Sequence, residues 1–151
     1  MQPGRATWQR VWRTISRVLL CGVLLSACHG LREEDNLYKA LGGEEGIRVI
    51  TDKFIKQIAR DDRVIDHFEN SSVQRFREKM HEHLCLVADG PCVYTGDTMI
   101  DTHTGMGITE GDFNAIVEDM MAALTEAGIP IGTQNRLLAR LAEFRGEILY
   151  R

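Results

Sequence analysis

The histidines of this sequence are its clearest candidates for holding a metal ion or a metal-containing cofactor, because a neutral imidazole nitrogen is a common metal ligand. There are five of them, and His103 differs from the others in its surroundings. It lies in the stretch YTGDTMIDTHTGMGIT, residues 94–109, after a short polar helix and before the turn glycines Gly105 and Gly107. No nucleophilic serine or cysteine and no acidic pair accompanies it in a recognisable motif. On spacing alone, a hydrogen-bonded surface histidine is the more common case.

The other histidines do not form a metal-binding pattern. His81 and His83 are two residues apart on one predicted helix, so their side chains point to nearly opposite sides. His81 and Cys85 are four residues apart and can share a face, but a zinc site needs two more ligands and no paired Cys-x-x-Cys is present. We therefore do not expect zinc. His29 is expected to be solvated, and His67 is expected at a corner between helices.

The elements that must position His103 are predicted to be helices. Apolar residues recur at spacings of three and four over residues 44–60, 71–88, 109–127 and 133–148, which indicates helices with one buried face. The sequence predicts an all-α fold with about four substantial helices, a few short ones and no convincing strand. Ser71 or Ser72 is expected to cap the start of the second long helix, Thr109 with Asp112 the start of the third, and Thr133 the start of the fourth. Gly128 and Pro130 are expected to end the third helix.

A long segment with little regular structure separates Ala88 from Thr109. Segments of about twenty residues without secondary structure are uncommon in compact domains and usually serve a function. His103 lies inside this one.

The bulk composition fits an ordinary globular domain, with 151 residues, 44% of them hydrophobic and 26% charged. The net charge of −4 argues against a nucleic-acid-binding protein, which would present a basic face.

The N-terminal residues have the features of an export signal. Four arginines without an acidic residue precede the apolar run VLLCGVLL at 18–25, which is too short to span a bilayer. The following Leu-Ser-Ala-Cys, ending at Cys28, is similar to the lipobox at which bacterial lipoproteins are cleaved and acylated. We therefore predict a signal peptide at 1–27, a tether at 28–36 and a folded domain at 37–151. His29 in place of aspartate favours a lipid anchor in the outer membrane, facing the periplasm. An ordinary cleaved signal and a mis-assigned start codon are the alternatives.

Residues 37–150 resemble the group I truncated haemoglobins, a family of shortened globins. The stretches that carry the resemblance are LYKALGGEEGI at 37–47, DHFEN at 66–70, DGPCVYTGDTM at 89–99, HTGMGIT at 103–109, FNAIVEDM at 113–120 and QNRLLARLAEFR at 134–145. No one of them would identify the family, but they follow one another with few or no gaps. The resemblance implies a two-over-two helical sandwich around haem, iron protoporphyrin IX.

The same resemblance makes His103 the proximal ligand of the haem iron, the role that histidine has in globins. The residues that it places in the haem pocket are Phe54, Ile55, Phe68, Phe76, Met80, Tyr94, Met99, Ile108, Phe113 and Ile116. The absence of a Cys-x-x-Cys-His sequence indicates that the haem is bound without a c-type covalent link. No residue is predicted to be catalytic.

The sequence departs from the family on the distal side. Ile55 stands where a tyrosine is common, and Phe76 and Met80 occupy the positions of the distal pair that often includes a glutamine. None of these side chains is a strong hydrogen-bond donor. Since a net hydrogen bond contributes roughly 1 kcal/mol, O₂ is expected to dissociate at least several-fold faster than from a pocket with a donor. His81 or His83 would supply a donor if the helix were rotated.

Three functions are compatible with these features. The first is reversible binding of a diatomic gas at the cell envelope, with O₂ or else NO or CO as the ligand. An unidentified reductase would keep the iron reduced, and a nitric-oxide-dioxygenase-like or peroxidase-like activity is left open. The second is electron transfer by a haem ligated by His103 and Met80. The third is a globin-shaped interaction lipoprotein without haem. The sequence does not determine the oligomeric state.

Cys85 and Cys92 are seven residues apart, one near a helix end and one in the next loop. In an oxidising compartment thiols tend to pair, so a disulfide is one expectation and two free buried thiols the other. A disulfide here would stiffen the segment that leads to Tyr94 and His103.

Overall fold

The computed structural model describes residues 36–151, and all regular structure in that range is helical. The signal peptide and most of the tether, including Cys28 and His29, lie outside the described residues. The helices are α1 (Leu37–Ala40), α2 (Gly43–Ile58), a 3₁₀ turn (Ile65–Phe68), α3 (Val73–Val87), α4 (Met99–His103), α5 (Glu110–Glu126), α6 (Ile131–Ala142) and α7 (Arg145–Ile148). None of these helices has the length and apolar character needed to cross a bilayer.

The core forms where α2 packs on α5 and α3. Helix α2 turns one apolar face inward because its isoleucines and Phe54 recur every three or four residues. The fully or nearly fully buried apolar side chains are Leu37, Leu41, Ile47, Ile50, Phe54, Ile58, Val64, Leu84, Cys85, Ala88, Ala115, Met120, Ala123, Leu124 and Leu137. This core leaves α4 outside it, as a short helix that carries His103.

Two of the predicted helix starts are present. The Ser72 side chain accepts a hydrogen bond from the Arg75 backbone N–H at the start of α3. Thr109 and Asp112 form a reciprocal capping box at the start of α5, with the Thr109 backbone N–H 2.9 Å from the Asp112 carboxylate. Both caps satisfy N–H groups that have no partner inside their helix.

The last predicted helix differs from the observed one. Thr133 does not cap it, because α6 begins two residues earlier, after Pro130, whose fixed φ suits a helix start. The helix also ends at Ala142, so Ile148 belongs to the separate α7. The apolar spacing continues across this break, which is why the sequence pattern did not reveal it.

The chain after His103 turns sharply and is tied to the C-terminal residues. Gly105 has a φ of +85°, a conformation that side chains with a Cβ rarely adopt. The Gly107 backbone N–H donates to the Arg151 carbonyl at 2.9 Å, and the Tyr150 N–H donates to the Ile108 carbonyl at 3.0 Å. Together with the packing of α4 on α7, these bonds fix the segment that carries His103.

Candidate functional site

A largely apolar cavity lies between α2, α3, α4 and α5. It has an outer chamber of about 210 Å³ and a deeper chamber of about 150 Å³. The residues that line both chambers are Phe54, Met80, His103, Phe113, Ile116 and Ile148. Because six side chains are shared, the two chambers form one slot, and His103 stands at their junction.

The orientation of His103 follows from its own helix. Thr98 caps α4 by accepting from the Asp101 backbone N–H at 3.1 Å. One turn of helix then places the His103 Nδ1 atom 2.7 Å from the Met99 carbonyl oxygen. A carbonyl oxygen can only accept, so Nδ1 carries the proton and Nε2 keeps its lone pair. This is the arrangement that prepares an imidazole to bind a metal through Nε2.

Aromatic rings and a thioether form the wall contributed by α2, α3 and the 3₁₀ turn. The Phe68 and Phe76 ring centroids are 5.1 Å apart, edge to face, and those of Phe54 and Phe76 are 6.4 Å apart. Met80 follows one turn later on α3. No strong hydrogen-bond donor is present among these four side chains.

Ile55 does not line either chamber, although it was predicted in the haem pocket. It lines a separate small cavity with Ile58, Ile65 and Val73. Phe68 and Phe76 border both that cavity and the outer chamber, so their rings form the wall between Ile55 and the slot. The one-residue step from Phe54 turns Ile55 by about 100° around the helix, which is enough to move it behind the rings.

The remaining predicted pocket residues are distributed over the slot. Ile108, Phe113 and Ile116 line the outer chamber, and Met99 lines the deeper one. Tyr94 lines neither. It lies in a polar cavity, called the mouth of the slot because it shares Ser71, Phe76 and Thr102 with the outer chamber. There the Tyr94 hydroxyl donates to the Asp97 carbonyl at 2.9 Å. Partial burial raises the pKa of Tyr94, so the phenol stays protonated and keeps this bond.

The mouth of the slot carries two cations that the sequence reading overlooked. Arg75 and Lys79 are one turn apart on α3 and line the mouth together with Tyr94. Arg75 pairs with Asp97 at 3.1 Å, and Lys79 lies 3.1 Å from the Glu82 carboxylate. Exposed basic residues on a helix are common, so the spacing of Arg75 and Lys79 alone did not indicate that they lie at the mouth of a cavity.

The deeper chamber contains a histidine that was not predicted there. His83 is 8% exposed. Its ring packs edge to face against Tyr94 and Phe144, with centroids 5.6 and 5.0 Å away. Burial is the main cause that lowers the pKa of His83, and the repulsion that a protonated His103 would exert adds to it, which favours the neutral form of His83.

Comparison with known proteins decides the family. A model of the bacterial-like globins matches residues 36–150. The chain belongs to the bacterial-like globin family. The group 1 truncated hemoglobin GlbN of Mycolicibacterium paratuberculosis is 30% identical to this globin over 116 residues, which are 77% of this chain and 85% of that protein. The group 1 truncated hemoglobin of Tetrahymena thermophila is 29% identical over 66% of this chain and 82% of that protein.

Solved structures agree with this globin fold. The truncated hemoglobin of Tetrahymena pyriformis, in its Fe(III) form, superimposes with a TM-score of 0.74 at 28% identity, covering 76% of this chain and 98% of that one. The 2/2 hemoglobin of Synechococcus reaches 0.72 at 22% identity, covering 77% and 99%, and supports the fold alone. The predicted two-over-two helical fold is therefore confirmed.

Haem is the cofactor of this globin, bound without a covalent link, and its site has the matching chemistry. A flat apolar macrocycle needs a slot lined by apolar side chains, and its iron needs a basic nitrogen. The slot supplies both, since the His103 lone pair is directed by the bond from Nδ1 to the Met99 carbonyl. Arg75 and Lys79 would hold the two carboxylates at the mouth. The haem-free interaction protein considered from the sequence is accordingly wrong.

The structure of the globin joins Cys85 and Cys92 in a disulfide, with Cα atoms 5.9 Å apart. Gly90 permits the return of the chain, because an added Cβ would lie 2.6 Å from the Cys85 sulfur. In the described part of the chain, Glu44 and these two sulfurs are the one group of three metal-ligand atoms that lie together. Because both sulfurs are used in the disulfide, this group offers no free thiolate for zinc.

Proposed function

We propose that this globin reversibly binds a diatomic gas, with O₂ as the first candidate and NO or CO as others. The observation that carries the proposal is the His103 imidazole, whose Nδ1 is bonded to the Met99 carbonyl while Nε2 is free at the junction of an apolar slot. Haem iron supplies the coordination position for the gas. The chain would supply the axial nitrogen and surround the haem with mostly apolar side chains.

Gas binding to the reduced protein tests the proposal. Addition of CO or O₂ should shift the visible absorption of the reduced, haem-loaded protein, and removal of the gas should reverse the shift. If purified protein loaded with haem shows no spectral response to either gas, the proposal is wrong. Any nitric-oxide-dioxygenase-like or peroxidase-like turnover would also need a reductant, which the structure does not identify.

The distal wall predicts rapid release of O₂. Phe54, Phe76 and Met80 offer no strong donor to a gas molecule in the outer chamber. Met80→Gln introduces an amide donor and should slow O₂ dissociation about fivefold, the equivalent of one net hydrogen bond. Met80→Leu is the matched control, because it changes the same side chain without adding a donor, and should leave O₂ dissociation fast. Equal rates for both variants would show that position 80 does not reach the gas.

Electron transfer is the second candidate function, and the position of Met80 favours it. Met80 borders both chambers, as His103 does, so its sulfur is in the same slot as the axial nitrogen. A methionine sulfur in the sixth position would raise the reduction potential and block gases. The absorption spectrum of the reduced protein separates the two functions, since a six-coordinate low-spin haem that does not react with CO would favour electron transfer.

The location at the cell envelope is a further part of the proposal. It rests on the similarity of residues 25–28 to a lipobox, and Cys28 lies outside the residues that the structure describes. Labelled palmitate should enter the wild-type protein and the Cys21→Ser variant, but not Cys28→Ser. Cys21 is the matched control because it is in the same N-terminal segment and outside the lipobox. Equal labelling of the two variants would contradict acylation at Cys28.

A further inference from the structure

The disulfide between Cys85 and Cys92 lies beside other side chains that can bind a metal ion. The ligand atoms of Glu44, Cys85 and Cys92 all lie within 4.8 Å of one another. A fourth donor is adjacent, because His81 Nε2 lies 2.9 Å from the Glu44 carboxylate. Cys85 is buried, Cys92 and His81 are partly buried and Glu44 is exposed, so this cluster is open to solvent on one side.

The sequence shows only half of this cluster. His81 and Cys85 are four residues apart on α3 and share a face, but two further ligands are needed for zinc. The fold supplies them, since Cys92 returns in the loop after α3 and Glu44 comes from the first turn of α2. Two sulfurs, an imidazole nitrogen and a carboxylate oxygen are ligands that zinc accepts in tetrahedral sites.

The segment that carries Cys92 is held next to α3 by hydrogen bonds that do not involve sulfur. Before Cys92, the Gly90 backbone N–H donates to the Cys85 carbonyl at 2.8 Å. After it, the Thr95 backbone N–H donates to the Glu82 carboxylate at 2.8 Å. Because the chain is tied to α3 on both sides of Cys92, the two sulfurs remain neighbours when the bond between them is opened.

Tyr38 positions Glu44 beside the sulfurs. Its hydroxyl donates to the Glu44 oxygen that His81 does not contact, at 3.4 Å, and its backbone N–H donates to the Ala88 carbonyl at 2.9 Å. Gly90 leaves room for the Tyr38 ring, because an added Cβ would lie 2.6 Å from both the ring and the Cys85 sulfur. A residue that orients a ligand in this way is typical of metal sites.

We propose that reduction of the disulfide converts this cluster into a zinc site, with Glu44, His81, Cys85 and Cys92 as the four ligands. In the reduction, the disulfide takes up two electrons and two protons from a dithiol, which is itself oxidised to a disulfide. Zn²⁺ then replaces the two thiol protons, which pass to solvent. Thiolate ligands favour zinc over magnesium or calcium, which prefer oxygen.

The movements that zinc requires are small. Two ligand atoms of one tetrahedral zinc ion lie about 3.3–3.8 Å apart, since each is about 2.0–2.3 Å from the metal. Rotation of the two cysteine side chains separates the sulfurs to this distance while their Cα atoms stay near the observed 5.9 Å. His81 must turn toward the sulfurs, and the Glu44 side chain, which is 68% exposed, is free to follow it.

Zinc would take over the cross-link that the disulfide provides in the oxidised protein. It would join the end of α3 to the loop that leads to Tyr94, and it would add the start of α2 through Glu44. None of the four ligands lines either chamber of the haem slot. The inference therefore goes beyond gas binding and does not depend on it.

Zinc binding to the haem-loaded full chain tests the inference. Every protein carries Cys21→Ser and Cys28→Ser, so that Cys85 and Cys92 are the remaining cysteines. The disulfide is reduced with a phosphine, which becomes the phosphine oxide by taking oxygen from water. Dialysis against Zn²⁺ and metal analysis should then find one zinc ion per chain, with a Kd below about 1 µM. The oxidised protein should retain no zinc at the same concentration.

Variants of the two ligands without sulfur distinguish a four-ligand site from a pair of thiols. Loss of a residue that merely orients a ligand costs about 10–100-fold in metal affinity. Glu44→Gln and His81→Gln remove a ligand itself, so each should weaken zinc binding to the reduced protein at least about tenfold. Glu45→Gln is the matched control, because Glu45 is the next residue of α2 and pairs with Arg48 instead.

Two results would overturn the inference. Equal zinc binding by the reduced and the oxidised protein would place the metal elsewhere. If Glu44→Gln and His81→Gln bind zinc as tightly as Glu45→Gln, the thiols bind it alone and the four-ligand site is wrong. Both positions are exposed or partly exposed, so these variants should fold. The response of the same samples to CO, followed by visible absorption, tests the proposed function separately.

Discussion

The Nδ1 atom of His103 lies 2.7 Å from the carbonyl oxygen of Met99, four residues earlier in the same short helix. The bond sets the tautomer of the imidazole and directs Nε2 into the slot. It depends on α4 being helical, which in turn depends on the Thr98 cap. A five-residue helix is thus sufficient to orient an imidazole with its Nε2 atom unbonded, provided that the residues after it turn away at Gly105.

Replacement of His103 should abolish firm haem binding. His103→Ala removes the proposed ligand nitrogen and would leave only apolar contacts and the mouth cations to retain haem. We expect haem to pass to an excess of an apo-globin acceptor much faster from this variant than from wild type, as followed by visible absorption. His81→Ala, outside the slot, is the control. An unchanged five-coordinate spectrum in His103→Ala would show that another residue binds the iron.

The cations at the mouth should slow the release of haem. Arg75 is 62% exposed and Lys79 is 17% exposed, and both already pair with carboxylates of the chain, so each contact with a haem carboxylate would be weak. The double variant Arg75→Gln/Lys79→Gln should therefore release haem about fivefold to thirtyfold faster at low salt, with a smaller difference at high salt. Arg48→Gln is the control, because Arg48 pairs with Glu45 and Asp52 away from the mouth. Equal release from all three proteins would exclude carboxylate binding by this pair.

The sequence predicted the parts of the molecule that depend on local chemistry. The Thr109–Asp112 capping box and the Ser72 cap follow from side chains that hydrogen-bond to a backbone three residues away, so sequence spacing is enough. The start of α6 was missed because Pro130 and Thr133 are both acceptable near a helix start, and sequence spacing does not choose between them.

Side-chain direction inside the slot depends on tertiary packing and was harder to predict. Ile55 was placed in the pocket from a gap-free match, but Phe68 and Phe76 stand between it and the slot. His83 was recognised only as a residue opposite to His81, and nothing in the sequence showed that the side of α3 bearing His83 meets Phe144, about sixty residues later in the chain. The role of His103 as proximal ligand rests on the family resemblance and stays a prediction, although the structure does place its side chain in the slot.

The disulfide should contribute to the stability of the folded globin. A loop of this length gives about 2.5 kcal/mol in the chain-entropy model. The free energy of unfolding of the double variant Cys85→Ser/Cys92→Ser should therefore be lower than that of the wild type by this amount, which lowers the urea midpoint. Wild-type protein with reductant should have the same urea midpoint as the variant. Alkylation of both cysteines in unreduced protein, detected by mass spectrometry, would exclude the disulfide.

Asp119 of α5 should make the globin less stable at neutral pH than at mildly acidic pH. It is 7% exposed, and its Oδ2 atom has no hydrogen-bond partner within residues 36–151. Burial is the main cause that raises its pKa, with repulsion from Asp61 and Glu118 adding to it and Arg63 opposing it. A raised pKa means that the folded state disfavours the charged carboxylate, so the cost of Asp119 is present when it is ionised and disappears as the pH falls below the ordinary carboxyl pKa.

Asp119→Asn should accordingly raise the urea midpoint near neutral pH, and the gain should vanish near pH 3.5, below the ordinary aspartate pKa of about 3.9. Asp112 in the same helix is the matched contrast, because hydrogen bonds from the Thr109 backbone and hydroxyl lower its pKa. Its stabilising effect is present above the ordinary carboxyl pKa and is lost as the pH falls, so Asp112→Asn should lower the urea midpoint at neutral pH. Urea unfolding of the three proteins at both pH values measures these differences. If Asp119→Asn lowers stability at neutral pH as Asp112→Asn does, the Asp119 carboxylate has a stabilising partner in solution and the argument from its burial is wrong.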